Sequence, residues 1–350
     1  MSNFAPRVLP WFDENGRKDL PWQRNINPYR VWVSEIMLQQ TQVQTVIPYF
    51  ERFMESFPDL NTLATADLDA VLRHWSGLGY YARARNLHHS AQTIRDTFSG
   101  EFPTAFDDVV SLPGIGRSTA GAILAIAGGQ KHAILDGNVK RVLARHAAID
   151  GWPGKTDVLQ RLWALAEERT PDSRVADYTQ AMMDLGATLC TRSRPACEAC
   201  PIAGDCEARL NDAVTSYPGR KPKKEKPLRE TIMVVAVDEA AIFLERRPPS
   251  GIWGGLWSLP EVSDIGDWVR QTFDQEPGAT EERAVLRHSF SHFDLDIRPV
   301  VVRVSAASRK VADTPDAGWY SPSDELPGGM AAPVQQIINS LKTNQDVTNS

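Results

Sequence analysis

Apolar residues recur at helical intervals through the first two thirds of the chain. Trp32 and Ile36 follow such a pattern, residues 68–75 repeat it, and residues 119–127 form a run of small and apolar residues. A spacing of three or four residues places side chains on one face of a helix. The pattern predicts a mostly helical region over residues 30–215, with few strands.

The pattern changes near residue 228. Residues 231–237, 241–244 and 295–302 are short runs rich in β-branched and other apolar residues, with turn-forming residues between them. Such runs are typical of strands. We therefore predict a smaller α+β domain at residues 229–345, followed by a polar and frayed tail at residues 346–350.

Charge separates the same two regions. Residues 1–226 carry 27 Lys and Arg against 26 Asp and Glu, whereas residues 227–350 carry 11 against 18, so the net charge of −6 belongs to the C-terminal third. Between the domains, residues 217–228 combine Pro and Gly with a basic run, which predicts an interdomain linker. Two readings of this linker stay open: a solvated loop, or a basic strap along a phosphate backbone.

All four cysteines fall within 17 residues, at Cys190, Cys197, Cys200 and Cys206. Thiolates are soft ligands, so the candidates are a [4Fe-4S] cluster and a structural zinc, with disulfides as the alternative. The first residues show no signal-like segment and no stretch is suited to span a bilayer, so we expect a soluble cytoplasmic protein with reduced cysteines. Only one Cys-x2-Cys knuckle is present, which favours iron-sulfur over zinc.

Three further features carry candidate chemistry. Leu-Pro-Gly-Ile-Gly at residues 112–116 precedes a helical run and would present backbone N–H groups to a phosphate, although a Gly-x-Gly turn alone is commonly a plain connection. Asp136 stands at the start of a helix, where a cap and the helix dipole should keep it ionised. Glu35 lies one turn from Val31 and Leu38, so apolar surroundings would raise its pKa; the alternative is a surface glutamate.

These motifs together resemble those of one enzyme family. The cysteine spacing, the 112–116 hairpin and the Asp that follows it about twenty residues later resemble the helix-hairpin-helix superfamily of endonuclease III, in its iron-sulfur branch. Val-Trp-Val-Ser-Glu-Ile-Met-Leu-Gln-Gln-Thr at residues 31–41 resembles the signature of the MutY-type adenine DNA glycosylases. The resemblance covers nearly the whole chain, and it implies a [4Fe-4S] cluster on the four cysteines.

The resemblance also implies catalytic roles. Glu35 would be the general acid, Asp136 the carboxylate that stabilises an oxocarbenium-like sugar, and Asn138 a supporting polar group. Position 118 holds Ser118, where bifunctional relatives carry a nucleophilic lysine. This difference implies a monofunctional glycosylase without strong lyase activity on abasic sites.

Residues that contact DNA follow from the same resemblance. These residues would line the pocket for the extruded base, insert between the strands or bind a phosphate. They are Trp22, Leu38, Gln180, Gln40, Thr41, Leu78, Tyr80, Gly114 and Gly116. For the wedging residues the alternatives are helix surface and core packing.

The C-terminal domain resembles a Nudix domain at residues 251–260. Residues 261–285 lack the Arg-Glu-x-x-Glu-Glu arrangement that holds magnesium in Nudix hydrolases, so a non-hydrolytic binding domain is expected. In MutY-type proteins the counterpart inspects 8-oxoguanine, which implies contacts from Ser291, the candidate for a discriminating hydrogen bond, and from His292. On spacing alone, His292 is an ordinary strand residue.

The expected fold class is a mostly α-helical helix-hairpin-helix glycosylase domain with a [4Fe-4S] loop, plus a C-terminal α+β Nudix-like domain. The catalytic region would span residues 1–216, with the hairpin at about 111–121 and the cluster loop at 190–206. The expected function is removal of adenine mispaired with 8-oxoguanine or guanine from double-stranded DNA, by a monomer. A thymine-glycol glycosylase with lyase activity and a non-catalytic iron-sulfur protein that senses redox state are the alternatives.

Overall fold

The computed structural model describes residues 3–222, 225–239, 241–304, 314–321 and 327–348, except for the side chains of residues 342–348. Contacts between Cα atoms divide the chain into two units. The first comprises Met1–Thr65 and Asn86–Lys223, and the second comprises Ala66–Arg85 and Lys224–Ser350. None of the helices in the described part of the chain has the length and apolar character that crossing a bilayer requires.

The chain up to residue 223 is mostly helical, as predicted. Its α-helices are α1 (Ala5–Asn15), α2 (Pro28–Leu38), α3 (Val43–Ser56), α4 (Leu60–Thr65), α5 (Leu68–His74), α6 (Ala82–Thr97), α7 (Phe106–Ser111), α8 (Arg117–Gly128), α9 (Gly137–His146), α10 (Thr156–Arg169), α11 (Val175–Asp184) and α12 (Glu207–Leu210). Short 3-10 turns lie at Pro21–Gln23, Cys197–Ala199, Ala203–Asp205 and Val214–Ser216, and a π-helical turn at Leu185–Leu189 follows α11.

Local sequence explains where the helices that form the site begin and end. Helix α2 starts with a proline in its first turn, and the Asn27 side chain accepts a hydrogen bond from Arg30 N at 2.9 Å. Helix α8 ends at Gly128, and the capping residue Gly129 has a φ of 64°, which suits glycine. The core of the first unit is formed by buried side chains from α1, α8, α9, α10 and α11, including Phe12, Leu143 and Leu162.

The second unit contains a mixed sheet. Besides α5 and the start of α6, its elements are β1 (Leu228–Asp238), β2 (Ala241–Arg246), β3 (Trp257–Ser258), β4 (Glu261–Val262), α13 (Ile265–Phe273), β5 (Thr280–Glu282), β6 (Leu286–Ser289), β7 (Asp294–Arg303), β8 (Ala317–Tyr320) and α14 (Ala332–Thr348). The strand order is β3-β2-β1-β7-β5, with β4 on β1, β6 on β7 and β8 on β2. The predicted α+β domain is therefore confirmed.

Strands β1 and β7 form the centre of this sheet. They pair in parallel over ten residues, from Leu228 opposite Asp294 to Val237 opposite Arg303. Buried Val234 and Val302 pack with Val269 and Phe273 of α13. All three runs predicted as strands lie within β1, β2 and β7.

The first residues of the predicted linker are bound to the first unit. Arg145 Nε donates to the Tyr217 carbonyl at 3.0 Å, and Gly219 N donates to the Gly151 carbonyl at 3.0 Å. Lys221 Nζ lies 5.5 Å from the centre of the Trp152 ring. Residues 217–221 are thus anchored, while residues 223 and 224 lie outside the described residues.

Candidate active site

The turn between α7 and α8 presents its backbone to solvent. Buried Leu112 and Ile115 anchor the turn, whereas Gly114 and Gly116 are exposed. Gly114 has a φ of 80°, and a Cβ there would lie 2.9 Å from Asn86 Cβ, so only glycine fits without displacement. Helix α8 begins after Gly116 with no side-chain cap, which leaves its first N–H groups available to an anion.

Asp136 caps helix α9 and is fixed by two hydrogen bonds. Its Oδ1 accepts from Val139 N at 2.8 Å, and its Oδ2 accepts from Asn138 Nδ2 at 3.2 Å. Asn138 thereby orients one carboxylate oxygen while the cap holds the other. Asp136 and Asn138, both named as site residues from the sequence, are thus in direct contact.

Ser118, in helix α8, contacts the residue that precedes Asp136 in the chain. Its Oγ accepts a hydrogen bond at 2.9 Å from the backbone N–H of Leu135, the residue before Asp136. The hydroxyl thus ties α8 to the segment that presents Asp136. The contact is with the backbone and not with the carboxylate itself.

Glu35 belongs to α2 and lies among buried residues that include Val31 and Ile36. Burial raises the pKa of its carboxyl to about 8, and the negative charge of Asp136 adds to this shift. The direction agrees with the prediction from the apolar neighbours Val31 and Leu38. A carboxyl with this pKa is protonated at neutral pH.

Asp136 departs from its predicted electrostatics. Its cap and its neighbours Arg141 and Lys140 lower its pKa, but burial outweighs them and raises the pKa above the ordinary value. The expectation from capping alone was therefore incomplete, because it left out desolvation. Since the negative charge of Asp136 raises the pKa of Glu35, we assign the proton to Glu35 and the negative charge to Asp136.

Arg141 joins helix α9 to the segment that leads into the cysteines. Its Nη2 donates to Asn138 Oδ1 at 2.8 Å and to the Gly186 carbonyl at 2.6 Å, and its Nε donates to the Cys190 carbonyl at 2.7 Å. Gly186 packs directly on Asn138, since a Cβ at residue 186 would lie 2.5 Å from Asn138 Cβ. Asn138 is thus held from two sides.

The four cysteines line one cavity, together with apolar side chains that include Val142, Leu189 and Ile202. None of the four is paired in a disulfide in the structure. A single tetrahedral zinc would draw sulfurs to about 3.8 Å from one another. Among the described residues no three His, Cys, Asp or Glu are grouped to hold one metal ion. Four thiolates in one apolar cavity fit the ligand set of an iron-sulfur cluster, which these cysteines would hold.

Arg145, on the last turn of α9, organises this cavity. It is only 2% exposed. Its Nη1 lies 3.3 Å from Cys190 Sγ and donates to the Thr191 carbonyl at 2.7 Å, while Nη2 donates to the Arg192 carbonyl at 3.0 Å. The guanidinium therefore shapes the start of the cysteine loop, whereas the Arg192 and Arg194 side chains are exposed.

The residues expected to line the base pocket have different environments. Trp22 is 6% exposed and packs edge-on against Phe50, with ring centres 5.5 Å apart. Gln180 is half-buried, and its Nε2 donates to Asp184 Oδ1 at 2.8 Å. Leu38 is half-buried at the end of α2.

The expected wedging residues fall in two segments. Gln40 is exposed with a φ of 57°, and Thr41 is half-buried after the same turn. In the second unit, Tyr80 is 52% exposed with a φ of 50°, whereas Leu78 is only 6% exposed. Tyr80 is accessible to a ligand, and Leu78 is packed.

The loop expected to meet 8-oxoguanine lies between β6 and β7 in the second unit. Ser291 and His292 are exposed, with Ser291 Oγ 3.3 Å from His292 Nδ1. Behind them, Phe290 and buried Phe293 stack with ring centres 4.5 Å apart. The loop thus presents the polar atoms of Ser291 and His292 in front of two stacked phenylalanine rings.

Sequence reasoning did not single out Arg141, Arg145 and Gly186. A signal was present for the arginines: positions 138, 141 and 145 are spaced by three and four residues and so share one face of α9. Gly186 had no local signal, since its role comes from packing against a residue 48 positions earlier.

Fold and site together define a DNA repair protein of the helix-hairpin-helix class. Residues 33–168 match the family described as HhH-GPD superfamily base excision DNA repair protein. Residues 190–206 match the iron-sulfur binding domain of endonuclease III, which confirms the predicted [4Fe-4S] loop, and residues 231–340 match the NUDIX domain. In structure, a thermostable thymine-DNA glycosylase aligns with a TM-score of 0.54 and 25% identity, covering 59% of this chain and 95% of that one.

Relatives in sequence identify the family within this class. An adenine DNA glycosylase of Buchnera aphidicola subsp. Acyrthosiphon pisum is 38% identical over 97% of this chain and 98% of its own. An adenine DNA glycosylase of Homo sapiens is 36% identical over 99% of this chain and 75% of its own. The chain belongs to the adenine DNA glycosylase family.

Proposed function

We propose that this glycosylase hydrolyses the N-glycosidic bond of adenine mispaired with 8-oxoguanine or guanine in duplex DNA, and leaves an abasic site. The observation that supports the chemistry is the carboxyl pair: burial raises the pKa of Glu35 to about 8, and the negative charge of Asp136 adds to this shift. Two carboxyl groups in different protonation states are what glycoside hydrolysis requires.

In the proposed reaction, protonated Glu35 gives its proton to N7 of adenine. The bond between C1′ and N9 breaks, its electron pair leaves with the neutral base, and positive charge develops on the sugar. Ionised Asp136, oriented by Asn138, stabilises this charge. The oxygen of a water molecule then bonds to C1′, and the proton of that water restores Glu35.

We further propose that the enzyme is monofunctional. Ser118 cannot form a Schiff base, and its hydroxyl is engaged with Leu135 N. Lys131, which is near in sequence, is paired with Asp172 at 2.6 Å. Strong strand cleavage is therefore not part of the proposed activity.

Recognition of the substrate is assigned to three groups of residues. Gly114 and Gly116 would hold a phosphate, and Trp22, Leu38 and Gln180 would line the pocket for the extruded adenine. Gln40, Thr41, Leu78 and Tyr80 would fill or wedge the duplex, and Ser291 with His292 would contact the opposite 8-oxoguanine. The four-cysteine loop would order Arg192 and Arg194 for phosphate contact.

The domain boundaries remain part of the proposal. We assign catalysis to residues 1–216, the basic connection to residues 217–228 and lesion recognition to residues 229–345. We also propose that the enzyme acts as a monomer. Sedimentation with and without duplex DNA tests this last point, and a dimer would contradict it.

The deciding experiment is single-turnover release of adenine from duplexes that pair it with 8-oxoguanine, guanine or thymine, with strand breakage scored before and after alkali. We expect alkali-dependent breakage for 8-oxoguanine and guanine and none for thymine. Breakage without alkali would contradict monofunctional chemistry. Absence of release from every duplex by cluster-loaded protein would favour a binding-only role.

A further inference from the structure

The exposed Tyr80 sits on a loop, residues 77–81, that is anchored to the C-terminal part of the second unit. Ser76 Oγ and Tyr81 OH both donate to the Met330 carbonyl, at 3.1 and 2.9 Å. Tyr81 OH also accepts a hydrogen bond from Gly77 N at 3.2 Å. The two ends of the loop are thus pinned to one acceptor outside it.

Helix α5, which precedes the loop, is held by an ion pair. Arg246 Nη1 donates to Asp69 Oδ1 at 3.0 Å, and its Nη2 contacts the other carboxylate oxygen, so the pair is bidentate. Asp69 is buried. A bidentate arginine-carboxylate pair fixes orientation as well as distance, so α5 is firmly placed on β2.

The other side of the loop is fixed by Arg85. Its Nη1 donates to the Gly254 carbonyl at 2.6 Å. Gly254 belongs to a tightly closed turn, in which Arg247 Nε donates to the Ile252 carbonyl at 2.9 Å and Gly255 N donates to the Pro248 carbonyl at 3.0 Å.

The same turn carries the aromatic side chain that supports the 290–292 loop. The Trp253 ring lies 5.5 Å from both the His288 and the Phe290 rings, centre to centre. Lys226 Nζ donates a hydrogen bond to the Phe290 carbonyl at 2.7 Å. Packed contacts therefore run from Phe290 through Trp253 and Gly254 to Arg85, four residues after Tyr81.

We propose that Trp253 and Arg85 are positioning residues that couple recognition at the 290–292 loop to the placement of the 77–81 loop in the duplex. This inference rests on the proposed function, because it takes Ser291 as the lesion contact and Tyr80 as the wedging residue. A shift of Phe290 when 8-oxoguanine binds moves the Trp253 turn, and the Gly254 carbonyl carries that movement to Arg85. When guanine stands in place of 8-oxoguanine and makes no contact with Ser291, this movement does not occur.

The test is a double-mutant cycle on lesion preference. The ratio of single-turnover rates for adenine opposite 8-oxoguanine and opposite guanine is measured for the wild type, Trp253→Ala, Arg85→Ala and the double variant. Each single variant is expected to lower the ratio by about tenfold, through a slower rate opposite 8-oxoguanine, and the double variant to lower it no further. Trp253→Phe, which keeps a ring, is expected to restore most of the ratio.

Controls separate coupling from general damage. Arg270→Ala removes an exposed arginine from α13 of the same unit and should leave the ratio unchanged. If Arg85 acted only by binding a phosphate, Arg85→Ala would slow adenine release from both duplexes equally and leave the ratio unchanged. The proposal is overturned if the ratio stays at the wild-type value in both variants, or if the two losses multiply in the double variant. A wild type that releases no adenine would instead contradict the proposed function itself.

Discussion

Asn138 and Cys190 are joined through one side chain, since Arg141 donates to the Asn138 amide oxygen at 2.8 Å and to the Cys190 carbonyl at 2.7 Å. Asn138 in turn donates to the Asp136 carboxylate. The orientation of the Asp136 carboxylate therefore depends on the backbone that enters the cysteine loop.

Arg141→Ala is expected to slow adenine release even in protein that retains its cluster. Loss of the guanidinium frees the Asn138 amide and weakens the hydrogen bond from Asn138 to Asp136. We therefore expect the rate of adenine release to fall by about tenfold or more. Single-turnover rates are to be normalised to iron content. Arg161→Ala, which removes an exposed arginine from α10, is the control; equal rates for both variants would refute the link.

Activity should depend on the protonation of Glu35. Because its pKa is raised from 4.5 to about 8, it carries the proton at neutral pH, and the rate should fall as pH rises past about 8, by about tenfold for each further pH unit. Glu35→Gln should lose about 10² to 10⁴ in rate. A rate that rises through this range would rule out Glu35 as the acid.

The same pKa predicts an effect of Glu35 on stability. A carboxyl whose folded pKa lies above its unfolded value favours the folded state at low pH and loses that contribution as pH rises from 4.5 toward about 8. Glu35→Gln should therefore unfold at a higher temperature than the wild type above pH 8. Thermal unfolding measured on both sides of this range checks the sign.

Gly186→Ala should impair catalysis through Asn138. The new Cβ would lie 2.5 Å from Asn138 Cβ and 2.9 Å from its backbone, so one of the two must move. We expect a rate loss with DNA binding retained. Gly204→Ala is the matched control, because a Cβ there meets nothing within 4 Å. Equal rates for the two variants would show that Asn138 tolerates the shift.

Arg145→Leu should release the cysteine loop. The substitution leaves the carbonyls of Thr191, Arg192 and Tyr217 without their donor, at an expected cost of at least about 3 kcal/mol. The measurement is the visible absorbance of the cluster per polypeptide, with unfolding followed by circular dichroism. Full cluster content and wild-type stability would contradict the assigned role. Arg192→Leu, which keeps the carbonyl and removes an exposed side chain, should leave both unchanged.

The sequence predicts most of the fold because its signals are local. Residues 119–127 lie within α8, and the β-branched run at 231–237 lies within β1, since helix and strand periodicity are properties of neighbouring residues. Glu35 and Asp136 could be found through motifs. The raised pKa of Asp136 could not, because burial is set by the whole fold.

Contacts between segments that are distant in the chain could not be predicted from the sequence. Nothing near residue 186 shows that Asn138 packs against it, and nothing near Asp69 indicates its partner Arg246, 177 residues later. The grouping of residues 66–85 with the C-terminal part of the chain is of the same kind. Such pairings arise from tertiary packing, which no local periodicity encodes.

The bonds that anchor the 77–81 loop end on a main-chain oxygen, the Met330 carbonyl. An acceptor of this kind is present whatever side chain the residue carries. Sequence drift at position 330 therefore leaves the anchor in place, while the donors Ser76 and Tyr81 have no such freedom. Substitutions at Ser76 and Tyr81 should therefore disturb the loop more than substitutions at residue 330.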